Sequence, residues 1–422
     1  MKHKSFEAWL EHLEKLHPKK IDLGLDRVRD IAEKLKLTSL DATVITVAGT
    51  NGKGSVVCFL ESLYHKAGYR VAATTSPHIV RFNERIRIGM QDVSDYELMD
   101  AFETIETARG DQPLSYFEFC ALAFLYIFKN TALDVILIEI GLGGRLDVFN
   151  IVEPDIAVIT SIDLDHVDIL GDTREAIGFE KAGIFRANTP AICGDPEVPH
   201  TVIDVANEVG AKLYCRDSDF SYEEHHGQWD FKGPMGSYKH LQLPKLKMQN
   251  IATSLMVAQC LQDSLPVAES VVRDCVHLVE LPGRFEIINE PIQCIFDVAH
   301  NPHASAWLAT QLSRFAVTGK VVAVTGMLNT KDVIKTFEPL AVGIDEWHVF
   351  TLPVEQAVKS VDLAQALKSL KVNISSMSES IDEAMEHVVQ RLDEKDYVLA
   401  FGSFYTVAEM KRWIACREVA YD

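Results

Sequence analysis

Residues 44–55 read Val-Ile-Thr-Val-Ala-Gly-Thr-Asn-Gly-Lys-Gly-Ser, and no other stretch constrains the fold as tightly. The β-branched run 44–47 predicts a buried strand, the turn after it closes on Lys53 and Ser55, and 56–66 predicts a helix. A strand that stops at such a turn before a helix aims backbone N–H groups at one spot, at the positive end of the helix dipole. That arrangement binds phosphate. Lys53 adds a point charge for the outer phosphates, and Ser55 offers a hydroxyl to a magnesium ion. Gly54 separates the two, a departure from the usual spacing. An ordinary glycine-rich turn is the alternative, and the density of special residues weighs against it. A nucleoside triphosphate is the expected ligand.

A chain of 422 residues exceeds one ordinary core, so two or three domains are expected. The 61 acidic against 41 basic side chains give a formal charge of −20, which argues against nonspecific nucleic-acid or anionic-membrane binding. Local clusters such as Arg81, Arg85 and Arg87 still allow a positive pocket for anionic substrates. The eight cysteines are scattered without a C-x-x-C pair, which fits reduced thiols better than disulfides or zinc. The first residues lack the apolar core of a secretory signal. The longest apolar stretch, 117–128, contains Glu118 and is too short to span a bilayer. A cytoplasmic, monomeric protein with a buried helix there is expected.

Apolar residues 6, 9, 10, 13 and 16 predict a first helix stopped by Pro18, and 25–37 a second. Runs at 71–73, 135–140 and 156–162 predict strands covered on both faces of a parallel sheet. Residues 200–247 read as a peripheral antiparallel excursion or a long insertion, and 250–262 as a helix. The pattern breaks at Leu281-Pro-Gly-Arg284 and restarts as alternating strands and helices to the end. The expectation is an α/β protein. An N-terminal phosphate-loop domain with a mostly parallel sheet spans 1–281, and a smaller C-terminal Rossmann-like α/β domain spans 282–422. Two such domains predict a ligand cleft.

Glu139 closes a buried strand and precedes Gly-Leu-Gly-Gly-Arg-Leu-Asp, the place where nucleotide enzymes hold magnesium. Asp163, Asp165, His166 and Asp168 follow another strand, and one imidazole on magnesium or manganese is chemically acceptable. Ser76 ends a further strand and offers a hydroxyl at the same sheet edge. Lys181 sits among apolar residues, either paired with Glu175 or Glu180 or kept for chemistry. Asp297 and His300 end a strand beside Asn301-Pro302, where an aspartate can accept from a ribose hydroxyl or the stretch can simply start a helix.

In order, the chain carries Ala-Gly-Thr-Asn-Gly-Lys-Gly-Ser, Thr-Ser-Pro-His, Glu-Ile-Gly-Leu-Gly-Gly-Arg-Leu-Asp, Thr-Ser-Ile-Asp-Leu-Asp-His, Glu-Lys-Ala-Gly-Ile-Phe, Pro-Gly-Arg-Phe-Glu and Asp-Val-Ala-His-Asn-Pro-His. In these segments it resembles the folylpolyglutamate synthase branch of the Mur ligase superfamily, including its bacterial members that are also dihydrofolate synthases. The resemblance implies an ATP-dependent ligase that phosphorylates the carboxylate of dihydropteroate or of a reduced folate, then joins L-glutamate to it. It further implies that Thr50, Asn51, Gly52, Lys53 and Gly54 cradle the phosphates beside Ser55, while Ser76, Glu139 and His166 ligate magnesium. Lys181 matches a carbamylated lysine that holds a second ion, and the site admits a monovalent cation. Lys53, Lys181 and His166 are the implied catalytic set, and Asn250, Arg284 and Asp297 match ATP contacts. The pterin side falls on Asp22, Leu23, Gly24 and Leu25, on Ser115, Tyr116, Phe117 and Glu118, and on Leu146, Asp147 and Val148. Val148 and Phe149 stand where smaller residues are expected, and His300 and Ser403 fall in the glutamate region. A phosphate-loop ATPase or kinase is the main rival, but it leaves the second domain unexplained. A peptidoglycan-type ligase is the nearest chemical rival, and the Asp22–Leu25 and Ser115–Glu118 segments favour folate.

Overall fold

The computed structural model of the protein describes residues 5–16, 24–315 and 317–418. The chain divides into two compact units at Ser76/Pro77, Phe82/Asn83 and Val279/Glu280. The strip Pro77–Phe82, which the sequence reading leaves in the first domain, therefore groups with the second.

In the first unit the strands are β1 (Thr43–Ala48), β2 (Val71–Thr74), β3 (Ile86–Ile88), β4 (Gln91–Asp92), β5 (Val135–Glu139), β6 (Ile156–Ile159), β7 (Pro190–Cys193) and β8 (Lys212–Cys215). They form one sheet in the order β4-β3-β2-β5-β1-β6-β7-β8. Six of them, β2 through β8 in that order, run parallel, and β3 and β4 close one edge antiparallel. Helices cover both faces, so β2, β5 and β6 are buried at every position and read as unbroken apolar runs. The register pairs Val47 with Glu139 and Ala48 with Ile159, which brings the ends of β5, β1 and β6 level.

The helix Lys53–Lys66 begins at the glycine turn itself, three residues before the apolar run predicts. Tyr116–Lys129 is buried along most of its length, as the stretch 117–128 predicts. Its start is fixed by a capping box in which Ser115 and Glu118 satisfy each other's backbone N–H groups.

Residues 200–247 are only in part the antiparallel excursion expected of them. Helix His200–Val209 and β8 extend the main parallel sheet, because 202 and 206 form a buried helical stripe that the polar composition obscures. The rest is a separate sheet of β9 (Ser221–His225), β10 (Gln228–Gly233) and β11 (Gly236–Gln242), all antiparallel.

The second unit has one sheet of β12 (Glu286–Ile288), β13 (Cys294–Phe296), β14 (Val321–Thr325), β15 (Glu346–Phe350), β16 (Ile374–Ser378) and β17 (Tyr397–Phe401), in the order β12-β13-β17-β14-β15-β16. Only β12 is antiparallel. Alternate residues feed two cores. Phe296, Val324 and Ala400 pack on one face, and Ile295, Ala323 and Leu399 on the other. The short strand β12 lies next to the Pro-Gly break and escapes a reading based on apolar runs.

One ion pair anchors the antiparallel edge of the first sheet. Arg87 on β3 donates through Nη2 to Glu61 at 2.7 Å, and Glu61 is 1% exposed on helix Lys53–Lys66. Removing one partner strands the other charge in the interior. Arg87→Ala is expected to cost about 3–5 kcal/mol in urea unfolding of the first unit. The double replacement Glu61→Gln/Arg87→Met should cost less than the single one.

Candidate functional site

The glycine turn is latched to the segment after β6. Thr50 N donates to Ser161 O at 2.7 Å and Asn51 N to Ser161 Oγ at 3.1 Å. The Thr160 and Ser161 hydroxyls donate back to Asn51 O, and Thr50 Oγ1 both donates to Asp163 O and accepts from Asp163 N. Two glycines make this approach possible. A Cβ on Gly49 would lie 1.9 Å from Thr160 Oγ1, and one on Gly52 would lie 2.5 Å from Asn250 Oδ1. Gly52 also takes φ +92° as the N-cap of the helix, a conformation costly for other residues. Asn250, buried on helix Met248–Cys260, is thus pressed against the loop. Lys53 Nζ donates to the loop carbonyls of Gly49 at 3.0 Å and Thr50 at 3.3 Å, and Ser55 is buried in the first turn.

Next to the loop, the buried carboxylate of Glu139 accepts from Ser76 N at 3.3 Å, so the ends of β2 and β5 meet. His166 takes a left-handed conformation (φ +51°) at the start of helix Val167–Leu170 and is exposed. The glycines after Glu139 let the chain pass close to helix Arg174–Ala182. A Cβ on Gly144 would lie 2.8 Å from Lys181 O.

Lys181 is 3% exposed, and neither glutamate suggested as its partner takes that role. Glu180 pairs with Arg145, and Glu175 accepts from His200 N and Thr201 N. Burial above all, with the Lys53 charge second, lowers the Lys181 pKa to about 7. A neutral amine is therefore accessible near physiological pH.

The residues assigned to the pterin side divide. Asp22 and Leu23 lie outside the described residues. Gly24 has φ +150°, and Leu25 caps the helix Asp26–Lys34. Glu118 is committed to structure as well, holding Ser115 N and the guanidinium of Arg27 at 2.7 Å. Arg85 stacks over the Tyr116 ring, and Phe117 meets Phe149 edge to face. Leu146 is half-buried, and Val148 is buried in a 3₁₀ turn capped by Asp147. The Asp147 carboxylate accepts from Gly141 N, Leu142 N and Phe149 N, and burial pushes its pKa up to about 6.

In the second unit the residues named from sequence share one sheet edge. Asp297, 2% exposed at the end of β13, accepts from Phe285 N and Ala299 N. The Arg284 guanidinium lies 5.5 Å from the Phe404 ring centre, and the His300 ring is 6.2 Å from the same ring. Ser403 is buried, and its Oγ caps Thr406 N at 2.9 Å. Phe404 was not legible as part of this group. Gly402-Ser-Phe marks only the end of the family resemblance, and the fold sets the Phe404 ring near both Arg284 and His300.

Two family models match the chain, the Mur ligase middle domain at residues 47–214 and the Mur ligase glutamate ligase domain at 283–404. The dihydrofolate synthase/folylpolyglutamate synthase of Escherichia coli K12 is 43% identical, over 97% of this chain and 96% of that protein. The Haemophilus influenzae protein of the same name is 42% identical over 95% of each. The chain belongs to the dihydrofolate synthase/folylpolyglutamate synthase family of Mur ligases. Its fold agrees. The E. coli enzyme solved with DHPP and ADP superposes with a TM-score of 0.92 over 98% of this chain and 99% of that one, at 42% identity. The Yersinia pestis bifunctional enzyme, solved with AMPPNP and a manganese ion, gives 0.90 over 98% of both chains at 42% identity.

This family member supports its phosphate loop with residues that sequence reading did not single out. Asp195, 2% exposed after β7, accepts from Ile162 N at 2.7 Å and from Arg174 at 2.9 Å. Gln249 donates to Thr160 O and Gly194 O. The available signal was position, since Asp195 follows a strand on the same edge as Glu139.

Asp297 gives a pH prediction. Burial pushes its pKa up to about 6, against an unfolded value of about 4. Between those values the folded chain holds the proton more tightly, so this group's contribution is most favourable below about pH 4 and is lost as pH rises through about 6. Asp297→Asn cannot titrate. From pH 4 to pH 7 its stability relative to the parent chain should therefore rise, by up to about 3 kcal/mol, in paired urea titrations.

Proposed function

We propose that this chain is an ATP-dependent carboxylate–amine ligase that adds L-glutamate to dihydropteroate, giving dihydrofolate, and to reduced folates, giving folylpolyglutamates. What carries the reading is the full-length likeness to enzymes of that name, combined with an intact phosphate loop. A carboxylate is a poor electrophile, and phosphorylation gives it a leaving group. One carboxylate oxygen attacks the terminal phosphorus of ATP, the bond to ADP breaks, and an acyl phosphate forms. The neutral amine of glutamate then attacks the acyl carbon, phosphate leaves, and the nitrogen gives up a proton to yield the amide.

In this reading the N–H groups of residues 50–54 hold the phosphates, with Lys53 balancing charge on the transferred group, Ser55 beside it and Asn250 behind it. Arg284 and Asp297 serve ATP. Residues 22–25, 115–118 and 146–148 serve the pterin, and His300 and Ser403 the incoming glutamate. The donor set of Ser76, Glu139 and His166 suits magnesium, since a buried carboxylate and a hydroxyl at adjacent strand ends are hard oxygen ligands. A divalent ion there neutralises charge on the phosphoryl group. We take the protein to act as a cytoplasmic monomer on small molecules, with neither nucleic acid nor membrane as partner. No helix among the described residues is long and apolar enough to cross a membrane.

Lys53→Ala should keep the circular dichroism of the parent. It should lose ADP formation by about 10³-fold or more, the scale of removing a positive charge from a transferring phosphoryl. The assay is ADP formation with dihydropteroate or tetrahydrofolate, each with L-glutamate. ADP release that ignores glutamate and folate would point to an ATPase and overturn the reading.

Lys181 is read as the carbamylated lysine of the second ion site. Its neutral amine can attack carbon dioxide, forming an N–C bond and releasing a proton, and the product is an anion. Lys181→Ala should lose turnover that bicarbonate does not restore and a short carboxylate partly does. The ¹³C carbamate resonance of parent enzyme in labelled bicarbonate should vanish in the variant. A parent enzyme without that resonance, active with an unmodified amine, would remove the assignment.

A further inference from the structure

The sheet β9–β11 carries a cluster that the ligase reading does not use. We propose that His225, Asp230 and His240 form a binding site for a divalent transition metal of the zinc class. Their ligating atoms all lie within 4.8 Å of one another, and each comes from a different strand, β9, β10 and β11 in turn. His225 Nε2 stands 3.5 Å from Asp230 Oδ1, and the two imidazole rings are 6.0 Å apart and nearly perpendicular.

Three features of the backbone put the three side chains on one face. The two-residue turn His226–Gly227 has positive φ at both positions (+50° and +77°), the tight hairpin geometry that fixes the register of His225 opposite Gln228. Asp230, two residues beyond Gln228, then shares a face with His225. On the other side the β10–β11 register slips between Trp229 and Phe231, so Lys239 and His240 together oppose Asp230. His240 takes φ +55° at that bulge, and its N–H donates to Asp230 Oδ1 at 2.7 Å. The opposite face is apolar, with Trp229, Phe231 and Leu241 buried at 1% or less. The cluster therefore looks away from the core, where an ion has access.

Two imidazoles and one carboxylate select zinc, cobalt, nickel or copper rather than magnesium or calcium, which prefer oxygen donors. Three protein ligands leave a fourth, tetrahedral position for water. Bonds of about 2.0–2.1 Å would place ligand atoms about 3.3 Å apart. The present spacing, within 4.8 Å, is wider than that, so binding requires the three side chains to draw in. A bound ion would cross-link all three strands of the excursion. The bland alternative is a surface carboxylate with two neighbouring imidazoles and no metal affinity.

The two are separated by titrating Zn²⁺ and Co²⁺ into the whole enzyme, purified without a histidine tag and with Mg²⁺ in large excess to occupy the catalytic region. His240→Asn tolerates the left-handed conformation and His225→Gln keeps a polar strand residue, so both should fold. The expected result is one equivalent of Zn²⁺ in calorimetry, a cobalt d–d absorption typical of four-coordination, and a thermal midpoint that rises with zinc concentration. All three signals should disappear in both variants, while their ligase turnover in Mg²⁺ stays at the parent level. No zinc uptake by the parent, or uptake unchanged in both variants, would overturn the proposal.

Discussion

The site in the first unit depends on one constraint, the parallel arrangement of β2, β5, β1 and β6 as neighbours. Parallel strands deliver all their carboxyl ends to the same edge of the sheet. The loop 49–55 follows β1, Ser76 follows β2, Glu139 ends β5, and Ser161 to His166 follow β6. No side chain has to reach far. Glu139 accepts from the N–H of Ser76, and the hydroxyls and backbone of the segment after β6 hold the loop. If any of these strands ran antiparallel, its loop would emerge at the opposite edge.

That geometry also explains what could be read from sequence. Strands buried on both faces are unbroken apolar runs, so 44–47, 135–140 and 156–162 marked the sheet, and the proposed site residues lie in or just after them. Phosphate loops are legible for a related reason. Their glycines are required by close approach, here to Thr160 and Asn250, and not by function alone. Illegible features were those that depend on a partner distant in sequence. Glu118, placed on the pterin side only by the family resemblance, is also held by Arg27, 91 residues away. For Lys181 the sequence left pairing with Glu175 or Glu180 open, and Arg145 and the start of helix His200–Val209 claim both candidates. Likewise β8 was hidden, because an edge strand with no fully buried position lacks the apolar run that betrays a central one.

Aspartate does two different jobs at the two edges of these sheets, and this separates structure from chemistry. At the edge opposite the site, an aspartate immediately precedes a strand and accepts from the backbone N–H at the start of the strand beside it. Asp155, before β6, takes Val44 N, and Asp134, before β5, takes Arg70 N. The second unit repeats the device, with Asp345 before β15 on Val321 N and Asp396 before β17 on Lys320 N. A carboxylate only accepts, whereas an amide side chain offers one acceptor oxygen and an NH₂ group that needs acceptors of its own. The repeated use of aspartate here accounts for part of the acidic excess without invoking a basic partner.

At the carboxyl edge the same residue type is drawn into dry surroundings. Asp147 and Asp297 are both buried, stitch loop N–H groups together, and have pKa values raised to about 6. A buried carboxylate held by N–H donors can fix a loop, but its desolvation is offset more fully when a cation stands nearby. In each unit one does, Lys53 acting on Asp147 and Arg284 on Asp297. Each pair therefore ties a loop together through its N–H groups and sets a cation beside the carboxylate at a sheet edge. Acid before a strand ties the neighbouring strand's start, whereas acid after a strand ties loops beside a cation, as Asp195 also does with Ile162 N and Arg174.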